Sequence, residues 1–585
     1  MGDDPVVTRE KLHELAQSNG FQIAPRHEAA YLLGLRSSYA IAKQIDALPD
    51  YIDPRLDVVP TVGGGPRKYK QPNPAKNPLT AWCHEFDLKA AEPETDMLRG
   101  RSVVVKDTIA VGQIPQALGT LPQFLSERGR TEGYPVSPID ATVVRRLLLA
   151  GGRLKGTTTC ENFSLSPMSF SSVFGPVHNP WQRGFNSGGS SSGSAALVGL
   201  SVARKMGEPG LDDLGADVDL ALGGDQAGSI RVPAAYCGIY GLKPTFGLVP
   251  YTGIAGLLPM TDYVGPLATN LEDIALCLSV IAGYDGLDPR MGPESPLRKN
   301  VPKYHDELAA FAAAVVLDSP GGSNARRLRI GLISESFQIP GMNPEAAERV
   351  RSAATTHFAA VGAEVADVSV PLHALGAAIW TAAVRNQMAS HAFGGRATDV
   401  LAHDLPHIAP PSWPPKPPND SQEFYDVLSR HNPAVVLTTL GETLLGELLP
   451  PLAQRKAHRH VLQLRAAYDA ALEEFDVLVT PTVPTVAPPL PDMTDDEVQN
   501  DPATPSAVER MMRLVAGSIN NTAPFNASGH PAISVPCGWA TSTRGDCKLP
   551  VGMQIIGRRF DDLGVLKAAK LFELGGGGLG PRTEK

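Results

Sequence analysis

Apolar positions recur at helical spacing near the start of the chain. Leu12, Leu15 and Ala16 share a face, and Ala29, Leu32, Leu33 and Leu35 follow after Pro25, so residues 4–50 are expected to be helical. Residues 51–80 are crowded with Pro and Gly and predict a linker or a draped arm. Further on, short apolar runs alternate with amphipathic stretches. SVVVKD (102–107) predicts a strand, and DATVVRRLLLAGG (140–152) predicts an amphipathic helix closed by glycine. RRLRIGLISE (326–335) begins another strand, NPEAAERVRSAATTHFAAVG (343–362) a helix, and EVADVSVP (364–371) the next strand. FDVLVTPTVP (475–484) and LPVGMQIIG (549–557) return to strand. This rhythm predicts an α/β fold with a mixed or parallel sheet.

Residues 385–470 break the rhythm. They hold a Pro-rich loop, APPSWPPKPPND (409–420), flanked by helical segments, and predict an insertion upon the core. The expected organisation is a helical segment and linker (1–80), a core in two parts (81–384 and 471–574) around the insertion (385–470), and a disordered glycine-rich tail (575–585). The chain's 585 residues are enough for about four ordinary domains, although large single α/β folds also reach this length.

Composition narrows the functional classes. The net charge is −9 and is spread along the chain without a basic stripe, which argues against nucleic-acid binding. No apolar run is long enough to span a membrane, and the first residues lack the pattern of a secretory signal. Six cysteines (83, 160, 237, 277, 537 and 547) include no C-x-x-C pair. They predict buried free thiols in a reducing, cytoplasmic setting and no zinc site.

Two Gly/Ser-rich stretches carry candidate chemistry: Asn186–Ser194, which precedes a helical AALVGL, and Gly223–Ser229. Glycine lets the backbone turn sharply and aim its N–H groups at a ligand, as an acyl-transfer site requires. By composition alone, a flexible linker for the first and a simple turn for the second are the favoured readings. Serine is a weak nucleophile without a base. No histidine motif supplies one, but Lys106 closes the valine run, where burial would favour its neutral amine; a lysine with its head in water is the competing reading. Three other matches are weak. Gly189–Gly193 has the spacing of a hydrolase elbow centred on Ser191, but loop residues precede it. Gly151–Gly156 has phosphate-loop spacing with Thr157 where lysine is needed, and His84-Glu85 and His27-Glu28 lack a second histidine.

The order of motifs resembles the amidase signature family of Ser–Ser–Lys hydrolases. VVVKDTIAV (103–111) resembles its lysine segment, GGSSSGSAALVGL (188–200) its Gly/Ser signature, and GGDQAGSIRVPAAYCGIYGLKPT (223–245) its nucleophile loop. TTTCENFS (157–164), TDYVGPL (261–267) and PFNASGHPAISVPCG (524–538) also match. The resemblance implies a large mixed sheet of about eleven strands covered by helices on both faces. It implies Ser229 as nucleophile, Ser190 as bridging serine after a cis bond from Gly189, and Lys106 as general base. The N–H groups of Gln226, Ala227, Gly228 and Ser229 would form the oxyanion hole, and Asp225 and Arg231 would brace the loop. No cofactor or metal is implied. Ala227 stands where the family usually has Gly, so a tolerated φ is expected there.

The Asp225-Gln226 pair is similar to a subgroup of wide-specificity amidases acting on aliphatic and aromatic amides. There an N-terminal helical segment often serves dimerisation, and a homodimer through residues 4–50 is the matching expectation. A small-molecule amide is the expected substrate. The alternatives are the glutaminase component of a tRNA-dependent amidotransferase, an esterase or carbamate hydrolase on the same fold, and a catalytically silent binding protein.

Overall fold

The structure, a computed structural model, describes residues 6–126, 133–317, 328–397, 402, 404–408, 421–450, 452–493 and 505–582. The Pro-rich loop 409–420, with Trp413, lies outside them. The chain divides into two units, Met1–Asp53 and Pro54–Lys585.

In the first unit the apolar spacing becomes two helices, Arg9–Ser18 and Glu28–Asp46. Thr8 caps the first by accepting the Lys11 N–H (3.2 Å), and Pro25–His27 forms a 3-10 turn into the second. Leu12 and Ala16 are buried, and Glu28 binds Arg9 (3.1 Å) and His13 (3.0 Å). The second helix buries none of its residues and exposes Tyr31, Leu33, Ile41 and Ile45.

The second unit is built on one sheet of eleven strands: β1 (Trp82–Leu88), β2 (Ser102–Lys106), β3 (Arg153–Thr158), β4 (Leu220–Asp225), β5 (Tyr240–Lys243), β6 (Tyr263–Ala268), β7 (Arg329–Ile333), β8 (Glu364–Val368), β9 (Val477–Pro481), β10 (Ala532–Thr541) and β11 (Lys548–Ile556). Their order is β1-β3-β2-β4-β6-β5-β10-β11-β9-β7-β8. The ladder is parallel at β3-β2-β4 and β9-β7-β8 and antiparallel elsewhere, so the sheet is mixed. Every residue of β4, β5, β6 and β9 is buried, so helices cover both faces.

The stretch after Pro54 is a draped arm rather than a free linker. Leu56 and Val59 are buried, and the Arg67 guanidinium grips the buried Asp140 carboxylate with bonds of 2.6 and 2.8 Å. The expected edges of the insertion fall inside helices: His373–Ala392 crosses 384/385, and Leu452–Glu474 crosses 470/471. Its side chains share an apolar cluster with the core, where Met388, Leu428 and Val435 join Leu118, Phe163 and Leu257. The tail also departs from expectation, because its backbone has fixed partners. Gly575 O meets His357 Nδ1 (2.9 Å), Gly580 O accepts from Trp539 Nε1 (3.2 Å), and Arg582 pairs with Glu208 (2.9 Å). Residues 583–585 lie outside the described ones.

Candidate active site

Strand β2 delivers Lys106 to a wholly buried position. Its Nζ reaches Ser190 Oγ at 2.7 Å and Ser164 Oγ at 2.6 Å. Burial lowers its pKa to about 8, since an ammonium loses hydration there. Four acidic groups on neighbouring segments oppose that shift: Cys160, Asp225, Glu161 and Asp262. Of the two sequence readings of this lysine, the buried one holds.

Ser190 follows Gly189 through a cis peptide bond and sits two residues before the helix Ser192–Lys205. Gly189 is required by close approach, because a Cβ there would lie 2.6 Å from Ser166 O. Ser191, the alternative elbow serine, is fully buried and donates its hydroxyl to Gly224 O (3.1 Å). Its N–H donates to Ser229 O (3.2 Å), which ties the two Gly/Ser stretches together. Neither stretch is a flexible linker.

Strand β4 ends at Asp225, and the chain turns through Gln226–Ser229 into the helix Arg231–Cys237. Gly228 takes the left-handed φ of +146°, and Ala227 does not, so alanine fits without backbone strain. A Cβ at Gly228 would also collide with Thr522 Oγ1. Asp225 accepts the Ile230 N–H (3.1 Å), whereas no partner among the described residues takes the N–H groups of Ala227, Gly228 and Ser229. Those amides are therefore free to bind an oxygen. Ser229 keeps slight exposure at 8%, unlike the sealed Lys106 and Ser190 at 0%.

Arg231 braces this loop from within the core. It holds Asp225 with two bonds of 3.0 Å and donates to Thr522 O, Gln554 Oε1 and Asn526 Oδ1. Burial alone would raise the Asp225 pKa, but the Arg231 charge and the hydrogen bonds outweigh it and hold the carboxyl at about 2. The loop carbonyls are fixed as well: Trp380 Nε1 donates to Gln226 O (3.0 Å) and Thr522 Oγ1 to Ala227 O (2.6 Å). Neither Trp380 nor Thr522 can be placed here from local pattern, since each reaches the loop across the fold.

Ser164 is the residue that sequence reasoning passed over. It falls within a matching motif but carries no pattern of its own. Beside it opens a cavity of about 330 Å³, lined by Leu118, Phe163, Ile254, Leu257 and Leu258 among others. Arg290 at its wall is bound to Asp288 (2.8 Å) and stacked over Tyr251. The rest of the wall is mainly apolar.

Among the described residues, Cys83, His84 and Asp107 gather their ligand atoms within 4.8 Å. Burial raises the Cys83 thiol, lowers His84 to about 4 and raises Asp107 to about 7. Each group is thereby held toward its uncharged form. The glycines at 151–156 lead into strand β3 rather than a helix, so they form no phosphate loop.

The Amidase family profile matches residues 75–566. The chain is 33% identical over 516 residues to an enantioselective amidase of Rhodococcus rhodochrous, covering 87% of this chain and 85% of the relative. It is 30% identical over 489 residues to a glutamyl-tRNA(Gln) amidotransferase subunit of Prochlorococcus marinus, covering 83% and 86%. The fold is shared with a bacterial aryl acylamidase (TM-score 0.58, 22% identity, 82% of this chain and 83% of that one). It is shared likewise with a peptide amidase of Stenotrophomonas maltophilia (TM-score 0.56, 24% identity, 83% and 85%).

Proposed function

We propose, from the premise that this chain belongs to the amidase family of hydrolases acting on amide bonds, that it cleaves a small-molecule carboxamide with an apolar acyl group through an acyl-Ser229 intermediate. The observation that carries this reading is the 2.7 Å contact between a buried lysine of lowered pKa and Ser190. Neutral Lys106 takes the Ser190 proton, and Ser190 takes that of Ser229 as its oxygen bonds to the amide carbonyl carbon. The N–H groups of Ala227, Gly228 and Ser229, with Gln226 beside them, receive the oxyanion. As the C–N bond breaks, the proton returns through Ser190 to the leaving nitrogen. Water then cleaves the ester by the same relay, releasing acid and freeing Ser229.

The mainly apolar cavity supports an aliphatic, aryl or phenylpropanoid acyl group. The identity to amidotransferase subunits favours glutamine as a second reading, whereas the mainly apolar wall favours an apolar acyl group. Six unpaired cysteines support a cytoplasmic setting, and no single helix among the described residues is long and apolar enough to cross a membrane. The exposed apolar side chains of Glu28–Asp46 support a homodimer through the N-terminal helices.

The test is ammonia release from a panel of aliphatic, benzoic and cinnamic amides and glutamine, beside Ser229→Ala. Release from the apolar amides by the wild type only is the expected result. Equal release by both proteins would remove Ser229 from its role, and preference for glutamine would establish the second reading.

A further inference from the structure

Three polar atoms close a ring at the buried end of β2. Lys106 Nζ lies 2.7 Å from Ser190 Oγ and 2.6 Å from Ser164 Oγ, and the two hydroxyls are 2.9 Å apart. Only two members of this ring have a part in the relay. A neutral amine has one lone pair and two N–H bonds. To take the Ser190 proton it must turn the lone pair toward Ser190, and its hydrogens then need an acceptor elsewhere. Ser164 Oγ stands where such an acceptor is needed, and its own hydrogen can point at Ser190 Oγ.

The backbone at this point is unusual. Phe163 and Ser164 are consecutive non-glycine residues with φ of +50° and +63°. The turn is clamped: Phe163 N–H donates to Leu118 O (2.8 Å), Ser164 N–H to Glu161 O (2.7 Å), and Asn432 Nδ2 to both Asn162 O and Leu165 O (3.0 Å each). Glycine would suit the φ of residue 164 at less cost, so a purely structural turn has no need of a hydroxyl there.

We propose that Ser164 is a positioning residue for the proton relay: its hydroxyl accepts from Lys106 so that the amine lone pair faces Ser190, and donates to Ser190 as that oxygen gains charge. The Ser164 O–H bond stays intact throughout. The inference rests on the amidase reading above and adds a third hydroxyl to it. The titratable groups whose charge acts on Lys106 are Cys160 and Glu161 beyond β3, Asp225 at the end of β4 and Asp262 before β6.

The test is Ser164→Gly, which removes the hydroxyl and relieves the backbone. Amide hydrolysis is expected to fall about 10- to 100-fold, with the melting temperature unchanged or higher. The acid limb of kcat/KM is expected to move to lower pH, because an acceptor on Nζ favours the ammonium form and its loss disfavours it. An activated ester, whose leaving group departs without a proton, is expected to lose less than the amide. Unchanged amide turnover in Ser164→Gly would overturn the proposal. So would an equal loss on amide and ester with a falling melting temperature and an unmoved acid limb. Ser229→Ala is run beside it. A Ser229→Ala enzyme that still turns over refutes the underlying reading, whereas a dead Ser229→Ala with a fully active Ser164→Gly refutes the positioning role alone.

Discussion

Replacing Lys106 by methionine should make the protein less active and more stable, and the two effects have one cause. Burial moves the lysine from its ordinary 10.5 to about 8. Near pH 7 the neutral fraction rises from about 1 in 3,000 to about 1 in 10, a gain of about 300-fold in available base. That gain has a thermodynamic counterpart. The folded pKa lies below the unfolded one, so the unfolded chain binds more protons between about pH 8 and 10.5. Lys106 therefore destabilises the fold in full below about pH 8, by about 3 kcal/mol, and the cost fades as pH rises toward 10.5.

Methionine removes the charge at similar length. It gives up the bonds to Ser164 and Ser190, at about 1 kcal/mol apiece, while those hydroxyls keep each other at 2.9 Å. The net gain at pH 7 is about 1 kcal/mol, which for 585 residues is about a 1 °C rise in melting temperature. Amide turnover should fall about 1,000-fold. Thermal scans of both proteins at pH 7 and pH 10, with kcat/KM across the same range, check both parts. The wild-type rate should rise about tenfold per unit up to about pH 8 and then level. A Lys106→Met protein that is active, or that is less stable than the wild type at pH 7, would refute the reasoning.

Ser191→Ala should keep amide turnover within about tenfold of the wild type, since its hydroxyl only binds Gly224 O; abolished turnover in a folded protein would return the elbow serine to consideration. Arg231→Met strands a wholly buried Asp225 carboxylate and should cost about 3–5 kcal/mol in denaturant unfolding, and a loss under about 1 kcal/mol would show the brace to be dispensable. The full chain is expected to run as a dimer in light scattering and a chain beginning at Pro54 as a monomer; a monomeric full chain, or a dimeric Pro54 chain, would overturn the proposed contact.

What the sequence made legible was local, and what it hid was assembled from distant segments. The valine run at 103–105 and the glycines around Gly189 and Gly228 are signals written into a few adjacent residues, because β-branched side chains favour the strand and only glycine tolerates those close approaches. The helices that cross the expected insertion edges were hidden for the opposite reason. Helix His373–Ala392 runs on past residue 384 with its apolar side chains in the same buried cluster as Leu118 and Phe163, and nothing near residue 385 records that packing. The tail was misread because glycine-rich composition says nothing of the Trp539 indole or Glu208 waiting for it.

Ser164 was the hardest to foresee. Its hydroxyl reaches Lys106 only because two residues in succession adopt left-handed φ, a conformation that neither phenylalanine nor serine announces. The turn is imposed by Leu118, Glu161 and Asn432, the last of them 270 positions beyond Asn162. A side chain held in a conformation its own type does not favour must be held there by others. The strain at 163–164 is therefore evidence about the whole fold, and the hydroxyl it aims at the lysine is the part of the site that no local pattern could encode.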